Sequence, residues 1–198
     1  MKIYYHDNEP SDSRLPHTTT PTLPASILAP LGIQYDLCPP NDVEESSIRD
    51  KVGDQPPSSV NAADLSREVP HLSNHYASDT ITISPASMGE AYEAQINKFY
   101  QEHMHDDEEI RWILEGSGYF DVRDADDRWV RIEVQEGDVL ILPAGIYHRF
   151  TVDEKNYIRA KRFFRGKPNW MALYRGEETE KSDVRKEYLS KRASGFPH

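Results

Sequence analysis

The stretch FYQEHMHDDEEIRWILEGSG, residues 99–118, sets His103 and His105 one residue apart among acidic side chains, directly ahead of an apolar run. Side chains alternate faces along an extended backbone, so His103, His105, Asp107, Glu109 and Arg111 share parity there, which selects Glu109 over Glu108. Two imidazoles and a carboxylate on one face form a nitrogen and oxygen site suited to a divalent metal, with Arg111 just beyond it. The same residues are equally read as an exposed acidic turn with two solvated histidines. A second segment, GDVLILPAGIYHRF, residues 137–150, breaks the tie. Its His148 shares parity with Ile146, Phe150 and Val152 on an otherwise apolar strand. Alone it would read as a core histidine; paired with the upstream HxHxxxE it becomes a candidate fourth ligand.

Outward from these two segments the chain changes character. IRWILEG, GYFDVRD, WVRIEV, DVLILP, YHRFTV and YIRAKRFF form six short runs of β-type composition, separated by turns at 116–118, 124–127, 137–138, 143–145 and 153–156. Short strands at such spacing predict an antiparallel sandwich or barrel. Upstream, SMGEAYEAQINKFYQ places Ser87 and Glu90 at capping-box spacing, and Ala91, Tyr92, Gln95, Ile96, Phe99 and Tyr100 then fall on one helical face. Residues 1–75 are rich in Pro, Ser, Thr and Asp, with KIYY (2–5) as a short strand and ASILAPLGI (25–33) as a short helix. EETEKSDVRKEYLSKRASGFPH reads as a charged surface helix with a frayed end.

With 198 residues, the expected organisation is a single domain over 1–198. It comprises N-terminal decorations (1–86, with a Pro/Ser-rich insertion at about 37–75), a metal-binding barrel at about 87–174 and a charged tail (175–198). A net charge of -11 argues against nucleic acid and anionic membranes as partners. One cysteine, Cys38, excludes an internal disulfide and thiolate-rich metal sites, so a metal here must be held by nitrogen and oxygen. The start of the chain lacks an apolar leader, and no run is long enough to span a membrane, which together predict a soluble intracellular protein.

The two quoted segments resemble the motif pair of the cupin family. HMHDDEEIRWILEG has the form HxHxxxE, six residues, then Gly116, with Asn97 where the motif's leading glycine stands. GDVLILPAGIYH has the form GxxxxxPxGxxH, without the trailing asparagine. The expected fold is therefore mainly β, a cupin-type antiparallel β-barrel (double-stranded β-helix, or jelly roll) with a few flanking helices. The wording around the motifs, together with YHDNEPSDSRLPH, LGIQYDL and KPNW, closely resembles the acireductone dioxygenases, over most of residues 1–17 and 79–174. The resemblance says nothing about residues 37–75.

That resemblance implies metal ligands at His103, His105, Glu109 and His148, substrate-facing arginines at Arg111 and Arg162, and pocket aromatics at Phe99, Phe150 and Trp170. It implies one Fe(II) or Ni(II) per chain and O2-dependent cleavage of the enediol 1,2-dihydroxy-3-keto-5-methylthiopentene. Fe(II) would give formate and 4-methylthio-2-oxobutanoate, the methionine precursor; Ni(II) would give formate, CO and 3-methylthiopropanoate. Four protein donors leave two positions of an octahedral ion for a bidentate oxygen ligand. A monomer in the cytoplasm, with the nucleus as a further location, is the expectation carried by the resemblance. A different enediol or sugar as substrate and a non-catalytic partner-binding cupin are the competing readings.

Overall fold

A single 15-residue strand, Glu109–Arg123, organises the computed structural model, which describes residues 1–18, 21–40, 76–165 and 171–196. In chain order the strands are β1 (Lys2–Tyr5), β2 (Gln34–Leu37), β3 (Tyr76–Ile83), β4 (His103–Met104), β5 (Glu109–Arg123), β6 (Trp129–Gln135), β7 (Asp138–Leu142), β8 (His148–Val152), β9 (Ile158–Arg165) and β10 (Leu173–Tyr174). The helices are α1 (Pro85–Met88), α2 (Tyr92–Phe99), α3 (Glu177–Glu180) and α4 (Asp183–Ser194), with short 3-10 turns at 25–27, 29–31 and 89–91.

β5 belongs to two antiparallel sheets. Its first part pairs with β7 and β9, which carry β2 and β3 at their outer edges; its second part pairs with β6 and β8, extended by β1 on one side and by β4 and β10 on the other. The switch falls at a register shift between Ile113 and Glu115, followed by Gly116 at φ 78°. A Cβ there would lie 2.3 Å from the Tyr157 carbonyl oxygen, so only glycine fits the bend. The two expected strands IRWILEG and GYFDVRD are thus one, and the turn expected at 116–118 is a bulge.

Between the sheets, alternate residues supply one apolar core: Ile113, Phe120 and Val122 from β5, Val130, Ile132 and Val134 from β6, Leu140 and Leu142 from β7, all nearly inaccessible. The alternation makes the opposite face of β6 and β8 outward, yet that face is also covered. Arg131 is fully buried and donates from Nε and Nη2 to Asp121 at 2.6 and 3.0 Å; Arg149 Nε adds 2.7 Å to the same carboxylate. Residues 6–18 form the lid over this network, and Arg131 Nη1 donates to the Leu15 carbonyl at 2.6 Å.

Local readings shift in two further places. Ser87 is not the helix cap: Ser84 caps α1 and Ser87 completes its capping box, because Pro85 fits the first helical position. The chain then turns through Gly89 into α2, which buries Tyr92 and Ile96 and leaves Ala91 exposed. The C-terminal segment is two helices, interrupted where Ser182 caps α4; Tyr188 and Arg185 are buried against the barrel. ASILAPLGI forms 3-10 turns, since Pro30 interrupts a longer helix. Among the described residues no helix is long and apolar enough to cross a membrane.

Candidate metal centre

His103 lies on β4 directly opposite His148, the first residue of β8, so the two rings stand side by side at 4.5 Å. The extended run expected from 103 to 111 does not exist. The backbone bends at Asp106 and Asp107, which are exposed, and this bend returns the chain so that Glu109, the first residue of β5, meets both histidines. Glu109 Oε2 is 3.0 Å from His105 Nε2, 3.5 Å from His148 Nε2 and 3.1 Å from Arg111. Parity therefore selected Glu109 over Glu108 by a route that the fold does not use; Asp107 lies in the exposed bend at the edge of the cavity.

Each imidazole is oriented from behind. His103 Nδ1 donates to the Gln101 carbonyl at 2.7 Å, His105 Nδ1 to the Met171 carbonyl at 2.9 Å and His148 Nδ1 to the Ile146 carbonyl at 3.0 Å. A carbonyl only accepts, so the proton sits on Nδ1 and each Nε2 is directed into the cluster. His148 Nε2 is buried without a hydrogen-bond partner. A buried lone pair of this kind carries a desolvation cost that a cation would offset. The ligand atoms of the three histidines lie within 4.8 Å of one another. The donor set fits a divalent ion.

The electrostatics agree. Burial, with His148 alongside, pushes His103 down to about 3, so it is a neutral donor near pH 7. Burial alone would raise the Glu109 carboxyl, but Arg111 and the His148 and His105 imidazoles hold it well below the usual carboxylate range. Burial disfavours a charge on His105, yet the Glu109 carboxylate more than offsets this and raises its pKa. His105 Nε2 and Glu109 Oε2 face each other at 3.0 Å, both directed at the point a cation would take.

The cluster forms one end of a cavity of about 490 Å³ whose walls are mostly aliphatic and aromatic. Phe99 and Phe150 meet edge to face at 6.4 Å, and both line it. Arg111 also lines it, largely buried beside Glu109, and burial lowers its pKa. Arg162 lines it too, directly across from Arg111 on β9, and its Nε and Nη2 donate to the two Asp79 oxygens at 2.7 and 2.6 Å. Trp170 lies outside the described residues, as does most of the 37–75 insertion. Tyr174, Ile81 and Ile83, which sequence reading passed over, are also part of the walls. The alternation TITI, residues 80–83, was the available signal for β3.

A second cluster, His6, Asp7 and His17, has similar composition but every nitrogen in it is committed. His17 Nδ1 lies 2.7 Å from an Asp7 oxygen and Nε2 2.8 Å from the Asp12 carbonyl; His6 Nδ1 accepts from the Asn8 N–H, and Nε2 meets the Tyr100 hydroxyl. No imidazole nitrogen of that cluster is left for an ion.

The sequence model of the ARD/ARD' family matches residues 2–172. The chain belongs to the ARD/ARD' family. Among the relatives of this ARD/ARD' chain, the acireductone dioxygenase of Emericella nidulans is 44% identical over 190 residues, 96% of this chain and 94% of that protein. The acireductone dioxygenase of Phaeosphaeria nodorum is 42% identical over 192 residues, 97% of each. A solved structure, an acireductone dioxygenase from Bacillus anthracis with a cadmium ion in its active centre, superposes with a TM-score of 0.60 at 23% identity, covering 87% of this chain and 97% of that one. That superposition places the ARD/ARD' chain in the same fold, the cupin-type barrel expected from the motif pair.

Proposed function

We propose that the chain is a metal-dependent dioxygenase that cleaves 1,2-dihydroxy-3-keto-5-methylthiopentene with O2, the reaction that serves methionine salvage. Its ion is held by His103, His105, Glu109 and His148. The observation that carries this reading is the buried, unpartnered His148 Nε2 facing Glu109 and two further imidazoles in a family whose relatives are named for this activity. All four ligands come from one chain, so each monomer carries a complete site.

When bound, the divalent ion supplies a Lewis acid for the enediolate oxygens. Arg111 keeps Glu109 ionised and oriented, and presents a permanent cation to the substrate dianion. An ion of charge two, one carboxylate and one guanidinium sum to the charge that a dianion neutralises. Arg162, already balanced by Asp79, adds directed N–H donors without disturbing this match. Phe99, Phe150 and the aliphatic wall receive the methylthio tail and keep water away from the electron-rich carbons.

Three imidazoles and a carboxylate accept both iron(II) and nickel(II), so metal supply sets the product. The test loads metal-free protein with each ion and measures oxygen uptake and products. Iron(II) should give formate and 4-methylthio-2-oxobutanoate, and nickel(II) formate, CO and 3-methylthiopropanoate. Metal bound at about one per chain without oxygen uptake would overturn the substrate assignment. Arg111→Ala at saturating metal should retain its ion and lose about 100-fold in turnover. Unchanged kinetics would remove Arg111 from the reaction.

A further inference from the structure

Asp79, Arg162 and Arg111 occupy one continuous row across the sheet: Asp79 is the register partner of Arg162 between β3 and β9, and Arg162 is the register partner of Arg111 between β9 and β5. Side chains directly opposite one another in antiparallel strands share a face, and like charges in that position repel. Here two guanidiniums are neighbours, and each is held by a carboxylate on its far side, Arg111 by Glu109 and Arg162 by Asp79. The Asp79 contact is a fork to fork pair, with Nε and Nη2 both engaged at 2.7 and 2.6 Å, the arrangement that fixes a guanidinium plane as well as its position. The pair thus opposes the repulsion from Arg111 and fixes the orientation of a long side chain at the cavity wall.

We infer that Asp79 is a positioning residue for substrate binding: it fixes the Arg162 guanidinium against Arg111 so that both face the anionic oxygens of the substrate. This rests on the proposed role of Arg162. Asp79 itself touches neither the ligands nor the cavity interior, so its influence must pass through Arg162.

The test is a double-mutant cycle on the metal-loaded full chain, with metal content measured on every variant. Asp79→Ala should raise KM for acireductone about tenfold, with kcat and metal content little changed, and Arg162→Ala should raise it at least as much. In the double variant the losses should not add, because Asp79 has nothing left to position; Asp79→Glu, which restores an acceptor pair, should recover part of the affinity. Additive losses, or a fall in metal content with Asp79→Ala, would make Asp79 a structural residue and overturn the inference. Arg162→Ala impaired with Asp79→Ala normal would overturn it and leave the role of Arg162 standing. Normal kinetics in Arg162→Ala would remove both.

Discussion

His105→Ala should lose its bound metal and at least about 10³-fold of turnover, equivalent to about 4 kcal/mol of barrier, while the chain remains folded. His105 sits at the rim of the site beside the bend at 106–107, with its side chain 17% exposed, so truncation opens no void in the core. It removes one nitrogen donor and also the hydrogen bond to the Met171 carbonyl that braces the site wall. Elemental analysis and oxygen uptake on one preparation read the outcome. A thermal scan adds an independent check: an ion at 100 times its Kd stabilises the native protein by about 2.7 kcal/mol, a gain the variant should lack. An active His105→Ala protein with a full complement of metal would refute the ligand assignment.

Asp121→Ala should be the most damaging substitution away from the site. It leaves Arg131, with no accessible surface, and the neighbouring Arg149 without their common carboxylate. Breaking a buried pair from one side costs about 3–5 kcal/mol, which at this chain length lowers Tm by on the order of 10 °C. The pH dependence has a definite sign. Burial pushes the Asp121 carboxyl up, but Arg131 and Arg149 bring its folded pKa below the ordinary value. Its contribution is therefore full above about pH 3.9, where the unfolded carboxyl is also ionised, and fades as pH falls through the lower folded value. Thermal unfolding of both proteins from pH 7 to pH 2 should show their difference shrinking only at the acid end. A difference below about 1 kcal/mol at pH 7 would mean that the network adds little net stability.

How much could be read in advance follows from the range of each signal. β-Type composition announced β6 through β9, because each is a short local run bounded by its own turn. It failed at Gly116, where a glycine that usually marks a turn instead bends one strand between two sheets. It also missed β4 and β10, whose two residues each are strands only through long-range pairing, β10 with β4 (Leu173 with Met104, Tyr174 with His103) and β4 also with β8. The four proposed ligands were legible as residue types at motif spacing. Their convergence was not, since it depends on a bend at 106–107 and on the pairing of β4 with β8. Asp79 was invisible for a related reason: nothing near it in the chain says that Arg162 will lie alongside.

The carbonyl of Met171 behind His105 has a consequence for the order of events during folding. His103 meets its partner His148 only after β4 and β8 have paired, and His105 finds its backing only after residues 171–174 have returned to lie along β4. The neighbouring HxH pair, although contiguous in the chain, therefore takes its backing from two strands far apart in sequence, β8 behind one ring and the 171–174 segment behind the other.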